Sequence, residues 1–322
     1  MKLGLITVPY QDLGLKEALD RAAALGLEAV ELGTGNYPGS AHCDPDELLS
    51  DPSAVARLKR GVEERGLIIS ALSQHGNPLH PNEEVARHSH EVWRKTLQVA
   101  EMLEVPVINA FPGCPGDHEG ARWPNWVTCA WPPEFLEILD WQWNEKVIPY
   151  WSEEVEHARR HGVRIGFEPH PGTVVYNPRT LLRLRDACGE LVGANFDPAH
   201  LFWQGIDPIE AIRALGEAGA IFHVHAKDLA LENANMRRNG ALETLPYGRV
   251  RDRSWNFRTC GYGHGEHLWR RIVSELRKHG YDYVLSIEHE DPLISPEEGL
   301  AKAVELLSKV LIREPAGEMY WA

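Results

Sequence analysis

The feature that most constrains the fold is a regular alternation of short apolar segments with segments of helical periodicity. Eight apolar segments are predicted as strands, at residues 3–8, 29–32, 67–72, 105–110, 163–167, 192–196, 221–228 and 283–287. Helices are predicted between them, and Asp51-Pro52, Asp207-Pro208 and Ser295-Pro296 are typical helix starts. Strands that alternate with helices form a parallel sheet, and eight such units close into a (β/α)₈ TIM barrel. The alternative is an open doubly wound sheet, but its glycine-rich phosphate turn is missing.

We expect a single TIM-barrel domain over residues 1–322, because no linker, repeat or low-complexity tract divides the chain. Two segments exceed ordinary loop length, at about 112–133 and 230–264. Each follows a predicted strand, so both are expected at the carboxyl-terminal mouth of the barrel, where such insertions form walls or lids. The first is rich in tryptophan, and such aromatic insertions are candidate contact surfaces of a homo-oligomer.

Composition limits the location and the partners of the protein. The 33 Lys and Arg residues are outnumbered by 47 Asp and Glu residues, and a net charge of -14 would repel a nucleic-acid backbone. The five cysteines form no C-x-x-C pair, which indicates reduced thiols. No secretory leader and no apolar run of membrane-spanning length is found. We therefore expect a cytoplasmic protein that binds neither nucleic acid nor membrane.

The predicted strand at 221–228 has an unusual polar face. His223, His225 and Lys227 alternate with apolar residues, so their side chains lie on one side of the strand. A strand flanked by helices is normally apolar on both faces. Because buried imidazoles and amines are costly unless they are bonded or bind a metal, this face indicates a site.

Side chains that can bind metals follow four consecutive predicted strands. They are Glu168 and His170 after the fifth, Asp197 and His200 after the sixth, His223 and His225 within the seventh, and Glu288, His289 and Glu290 after the eighth. The carboxyl ends of barrel strands meet at one mouth, where carboxylates and imidazoles without thiolate suit Mn²⁺, Mg²⁺, Co²⁺ or Zn²⁺. A single acidic residue in such a position more often caps a helix, as Asp197 before Pro198 would. Such residues at successive strand ends favour a metal site instead.

Four motifs at these strand ends are specific enough to compare with known families. They are F-E-P-H (167–170), N-F-D-P-A-H (195–200), F-H-V-H-A-K-D (222–228) and S-I-E-H-E-D (286–291). These motifs resemble the sugar isomerase/epimerase family of xylose isomerase-like TIM barrels, which includes the ketose 3-epimerases and, more distantly, endonuclease IV. The resemblance implies one divalent metal ion, Mn²⁺ in the first place, held by Glu168, Asp197, His225 and Glu288. It also implies that His200 contacts the substrate, whereas an arginine that the family carries shortly after the strand-seven histidine has no counterpart here.

The chemistry of such a site is that of an enzyme acting on a sugar or sugar derivative. A divalent ion that binds a carbonyl and its neighbouring hydroxyl acidifies the intervening C–H by stabilising an enediolate. Glu168 and Glu288 come from strands well apart around the ring, so one would remove the proton and the other return it. The leading prediction is therefore a metal-dependent sugar isomerase or epimerase with a small-molecule substrate.

Further side chains are predicted to contact the substrate. Lys227, one alternate position beyond His225, should point into the same pocket, and His75 ends the third strand. Trp123 would offer a face to sugar C–H groups, although the tryptophans of this insertion could equally form a small core of their own. Arg258 lies in an aromatic and glycine-rich stretch, residues 255–264, that we interpret as a lid.

Other functions are compatible with the same motifs. A lyase would keep the enediolate but expel a leaving group, cleaving 3-keto-glycosides, including C-glycosides, by β-elimination. The long insertions resemble that branch of the family. A phosphodiesterase like endonuclease IV would need more metal ions and a less acidic protein, and the complete ligand set disfavours a non-catalytic partner subunit.

Overall fold

The computed structural model of the protein describes residues 1–321, so Ala322, the last residue of the predicted domain, lies outside the described residues. The strands are β1 (Lys2–Ile6), β2 (Ala29–Asn36), β3 (Ile68–His75), β4 (Val107–Ala110), β5 (Arg164–Phe167), β6 (Val192–Phe196), β7 (Ile221–Ala226), β8 (Asp228–Leu231), β9 (Trp255–Arg258) and β10 (Val284–Ile287). Eight of them form a closed parallel barrel in the order β1-β10-β7-β6-β5-β4-β3-β2. The predicted (β/α)₈ barrel is therefore confirmed. The remaining pair, β8 and β9, forms an antiparallel hairpin outside the barrel.

The helices alternate with the barrel strands along the chain. They are α1 (Leu15–Ala24), α2 (Pro45–Ser50), α3 (Pro52–Glu63), α4 (Glu83–Leu103), α5 (Glu134–Trp141), α6 (Ile148–Arg160), α7 (Pro178–Cys188), α8 (Ala199–Phe202), α9 (Pro208–Glu217), α10 (Asn233–Asn239), α11 (Glu266–Lys278) and α12 (Pro296–Val310). A 3₁₀ turn, Val8–Tyr10, follows β1, and a π-helical turn, Gln142–Val147, joins α5 to α6.

The helix starts predicted from sequence are the observed starts of α3, α9 and α12. In each case the residue before proline, which is Asp51, Asp207 or Ser295, accepts a hydrogen bond from a backbone N–H of the first helical turn. These N–H groups have no partner within the helix, so the cap satisfies one of them. Proline is tolerated at the first helical position because the backbone N–H that it lacks would make no hydrogen bond within the helix.

Indole side chains fill much of the layer between the barrel and the helices. Trp93, Trp143, Trp151 and Trp269 are among the largest fully buried side chains. Trp151 of α6 donates its indole N–H to the carbonyl of Pro112 at 2.8 Å. Because Pro112 begins the first insertion, this bond attaches the insertion to the helical layer.

The two insertions differ in structure. Residues 112–133 contain neither helix nor strand, whereas residues 230–264 contain α10 and β9, the second strand of the hairpin. The hairpin pairs Asp228 with Arg258 and Leu229 with Phe257. Both insertions leave the carboxyl ends of barrel strands, so they lie at the mouth of the barrel as predicted.

The helices of residues 1–321 are each too short or too polar to span a bilayer. All five cysteines are free thiols.

Candidate metal centre

The four side chains predicted as metal ligands lie together at the mouth of the barrel. Glu168, Asp197 and Glu288 directly follow β5, β6 and β10, and His225 lies near the end of β7. These strands are consecutive in the barrel order. One donor atom of each side chain lies within 4.8 Å of the others. His225 Nδ1 is 2.9 Å from Glu288 Oε2 and 3.2 Å from Glu168 Oε2.

The donor atoms of this cluster fit a divalent cation. They are carboxylate oxygens and one imidazole nitrogen, without a thiolate, a combination that suits Mn²⁺, Mg²⁺, Co²⁺ or Zn²⁺. One of the oxygens, Asp197 Oδ2, is buried without a hydrogen-bond partner among the described residues. Buried acceptors are costly unless a donor or a cation satisfies them. The cluster is therefore compatible with a divalent metal site.

Packing carboxylates into a buried space moves their pKa values apart. Burial raises the pKa of Asp197 to about 6. Burial also raises the pKa of Glu288, but the charges of Lys227 and His225 outweigh this effect and lower it to about 2. Burial lowers the pKa of His225, but the carboxylates of Glu31 and Glu288 outweigh it and hold that pKa well above its usual value. The cluster thus attracts positive charge, as a cation site must.

Glu31 lies outside the strand-end motifs, yet it contacts the other side of His225. Its carboxylate oxygens are 3.0 and 3.1 Å from His225 Nε2. It is fully buried in β2, where it accepts further hydrogen bonds from Ser73, Asn109 and Ser286. The only signal for it in the sequence is one acidic residue in an otherwise apolar strand. Sequence reasoning missed it because such a residue does not reveal which distant side chain it faces.

His223 lies two residues before His225 on the same face of β7, one layer deeper in the barrel. Its Nε2 is 3.1 Å from Ser70 Oγ, and its Nδ1 is 3.2 Å from Asn195 Oδ1. Burial lowers the pKa of His223 to about 4, so its ring is neutral near pH 7. These contacts keep it hydrogen-bonded inside the barrel, and its ring is not part of the cluster around Asp197.

The cluster opens into a cavity of about 1440 Å³. The predicted site residues that line it are His75, Glu168, His200, Lys227 and Glu288. His200 Nε2 lies 3.1 Å from Glu168 Oε1, and His75 Nε2 lies 3.3 Å from Glu168 Oε2. Neither of these nitrogens has a hydrogen-bond partner with good geometry among the described residues. Both imidazoles thus line the cavity with a nitrogen beside the carboxylate of Glu168.

Lys227 brings a buried positive charge to the same cavity. Its Nζ is 2.5 Å from Glu290 and 3.4 Å from Glu288, and it lies 4.3 Å from the centre of the Phe257 ring. Burial lowers its pKa, but the carboxylates of Glu288 and Glu290 outweigh that effect and hold the pKa well above its usual value. Lys227 is therefore an ammonium group that can donate hydrogen bonds into the cavity.

Arg258 and Trp123 are not among the residues that line the cavity. Arg258, the last residue of β9, donates from Nε to Asp291 at 3.0 Å. Trp123 is largely exposed to solvent, with 64% of its surface accessible. The insertions instead contribute Pro124, together with Tyr247, Asn256 and Phe257, to the cavity wall.

The chain is similar to proteins of one family. The profile of the xylose isomerase-like TIM barrel matches residues 19–310. "Uncharacterized protein YfiH" of Bacillus subtilis (strain 168) is 37% identical over 314 residues, which cover 97% of this chain and 99% of that protein.

Solved structures share the fold at lower identity. A D-tagatose 3-epimerase-like protein superimposes with a TM-score of 0.66 at 22% identity, covering 96% of this chain and 97% of the other. The probable 3-DHS dehydratase AsbF from Bacillus anthracis superimposes with a TM-score of 0.65 at 16% identity, covering 96% and 99%. As the strand-end motifs predicted, the chain belongs to the xylose isomerase-like TIM barrel family.

Proposed function

We propose that the protein is a divalent-metal-dependent sugar isomerase or epimerase that removes a proton next to a carbonyl. The observation that carries this proposal is the cluster of Glu168, Asp197, His225 and Glu288 at the base of an open cavity. Similarity of fold to a D-tagatose 3-epimerase-like protein supports a sugar as the substrate class.

The four ligands would hold the cation, for which Mn²⁺ is the first expectation. When bound, a divalent ion would stabilise the negative charge that develops on the carbonyl and hydroxyl oxygens of the sugar. The chain supplies the groups that move the proton. Glu168 directs Oε2 towards His225 and Oε1 towards His200, so Oε1 would take the proton at the edge of the cavity.

A second carboxylate allows the proton to return on the other side of the carbon. Glu168 follows β5 and Glu288 follows β10, and β6 and β7 lie between them in the barrel. A sugar carbon held between the two carboxylates would lose its proton to one of them and receive a proton from the other. His200, His75 and Lys227 would donate hydrogen bonds to the sugar hydroxyls and fix its orientation.

Hydrogen exchange into the substrate tests this proposal directly. Glu168→Gln and Glu288→Gln should each slow C–H exchange with deuterated water by about 100-fold or more across a panel of free ketohexoses and 3-keto-glucosides. Glu84→Gln is the matched control, because Glu84 also lines the cavity but lies outside the cluster. Exchange at the parent rate in both cluster variants would overturn the assignment of the bases.

A second candidate function, cleavage of 3-keto-glycosides by β-elimination, is favoured by the size of the cavity. Pockets for small ligands typically measure about 300 to 1,000 Å³. The cavity of about 1440 Å³ therefore leaves room for an aglycone beyond the sugar ring. A probable dehydratase is also among the structures that share the fold.

In this reaction one of the same two glutamates would take the proton next to the carbonyl, and the electron pair left on that carbon would form a C=C bond as the bond to the aglycone breaks. Lys227 Nζ, which also lines the cavity, would give a proton to the departing group. Mass spectrometry of the products separates the two functions. A released aglycone with an unsaturated keto-sugar indicates the lyase, and a product of unchanged mass indicates the isomerase or epimerase.

A further inference from the structure

We propose that Glu31 is a positioning residue that orients His225 for cation binding. This inference rests on the proposed metal site and assigns a role to a residue of β2, outside the strand-end motifs that carry the cluster. It concerns the buried side of the site, whereas Glu168 and Glu288 line the cavity.

The two ring nitrogens of His225 face different carboxylates. Nδ1 faces the cluster, at 2.9 Å from Glu288 Oε2 and 3.2 Å from Glu168 Oε2. Nε2 faces Glu31, at 3.0 and 3.1 Å from its two carboxylate oxygens. A carboxylate can only accept, so Glu31 requires the proton to be on Nε2. In a neutral imidazole, which carries a single N–H, the lone pair of Nδ1 is then directed at the cluster, as a ligand requires.

Glu31 is itself fixed from several directions. Ser286 Oγ of β10 donates to Oε2 at 2.7 Å, and Asn109 Nδ2 of β4 donates to Oε1 at 2.8 Å. Ser73 Oγ of β3 donates to Oε1 as well. These donors come from three different strands, so the carboxylate cannot turn away from His225 without losing bonds on every side. The barrel wall thus holds the imidazole at a set angle.

A purely structural role would not need this arrangement. Glu31 has no exposed surface, and replacing a buried ion pair by apolar side chains of similar volume is often neutral or stabilising, so stability alone does not account for a carboxylate here. The carboxylate oxygens point at the one ring nitrogen that the cluster leaves free. Carboxylates behind metal-binding histidines typically contribute about 10- to 100-fold to metal affinity.

The test is the affinity of the metal-free full-length protein for Mn²⁺, measured by titration calorimetry. Glu31→Gln keeps the shape but replaces one accepting oxygen by a donating amide, and we expect its dissociation constant to rise by about 10- to 100-fold. Ser70→Ala is the matched control, because Ser70 contacts His223 in the same buried network and does not contact His225. It should bind Mn²⁺ with parent affinity even if its melting temperature falls.

The outcomes separate this inference from the proposed function. If the parent protein binds no divalent cation, the metal site itself is wrong and the role of Glu31 falls with it. If the parent protein and Glu31→Gln bind Mn²⁺ equally, only the role of Glu31 is overturned.

A second measurement needs no variant and decides the question even if Glu31→Gln fails to fold. In the Zn²⁺-loaded parent protein, ¹H–¹⁵N spectra should show His225 with its proton on Nε2, shielded from exchange and strongly hydrogen-bonded. A proton on Nδ1, with Nε2 bound to the metal, would overturn the inference.

Discussion

At the scale of single residues, position along a strand decides what each ionisable group can do. His223 and His225 lie on the same face of β7, but only His225 reaches the cluster, and burial leaves His223 neutral. Periodicity alone predicts the shared face, whereas the choice of His225 as the ligand was implied by the family resemblance. Glu31 could not be predicted in the same way, because its partners are 42 to 255 residues distant in sequence.

The sequence context of Asp197 allowed two interpretations, a helix cap and a metal ligand, and its two carboxylate oxygens are compatible with both. Its Oδ1 accepts from the backbone N–H of Ala199 at 2.8 Å, as a helix cap does, and its Oδ2 is buried without a partner in the part of the chain that is described. We predict that Asp197→Asn keeps the cap, since asparagine caps as well as aspartate, but replaces Oδ2 by an amide that cannot bind a cation.

Calorimetry and thermal unfolding measured together check this prediction. Affinity for Mn²⁺ should fall by about 100-fold or more, a loss of about 2.7 kcal/mol of binding free energy, with only a small change in melting temperature. A variant that melts much earlier but binds Mn²⁺ normally would show that Asp197 is only a cap.

At the scale of elements, the hairpin β8–β9 forms one wall of the cavity. Asp228 fixes it by accepting from the backbone N–H groups of Gly261, Gly263 and His264 at 3.0, 3.2 and 2.9 Å. Trp203 stacks on Trp255 with ring centres 5.0 Å apart. The sequence predicted the insertion and its place at the mouth, but not the hairpin, because its strands are short and are separated by a long polar segment.

A substitution at Gly263 tests the hairpin. A Cβ atom there would overlap the backbone carbonyl of Leu229, whereas nothing approaches the same position at Gly248 in the same insertion. Gly263→Ala should therefore destabilise the protein by about 1–3 kcal/mol and weaken substrate binding, and Gly248→Ala should do neither. Hydrogen exchange over residues 228–264 gives the readout, and equal protection in both variants would contradict this account of the wall.

Helices α9 and α11 are joined by an ion-pair network with a predictable pH dependence. Glu275 accepts from Lys278 Nζ at 2.8 Å and from Arg213 Nε at 2.9 Å, and these hydrogen bonds lower its pKa to about 2. Because the folded-state pKa lies below the unfolded one, the stabilisation is present above about pH 4.3 and is lost as the pH falls towards 2.

Glu275→Gln should accordingly reduce the free energy of unfolding at pH 7 by about 1 kcal/mol. The loss is no larger because Arg213 and Lys278 are partly exposed, and solvent weakens their attraction to the carboxylate. The difference from the parent should shrink towards zero at about pH 2, where the glutamate is itself half protonated. Denaturant unfolding across this range measures both quantities. A difference that stayed constant with pH would mean that packing, and not charge, holds these helices together.

At the scale of the whole molecule, the closed barrel explains why the cluster could be predicted from sequence. Parallel strands bring their carboxyl ends to one mouth, and the four ligand-bearing strands are consecutive in the barrel. Substrate contact by Arg258 and Trp123 was predicted only from their positions in the two insertions, and such a position does not determine where a side chain points. Their contact with substrate stays a prediction, as do the single domain over residues 1–322 and the cytoplasmic location.

The position of a bound cation tests the central claim most directly. We predict that anomalous scattering from crystals soaked in Mn²⁺ shows one strong peak per chain, between the donor atoms of Glu168, Asp197, His225 and Glu288. Crystals of Asp197→Asn should show a much weaker peak at that position under the same soak. Saturating Mn²⁺ that leaves no peak among these four side chains, or a peak that is unchanged in Asp197→Asn, would contradict the account.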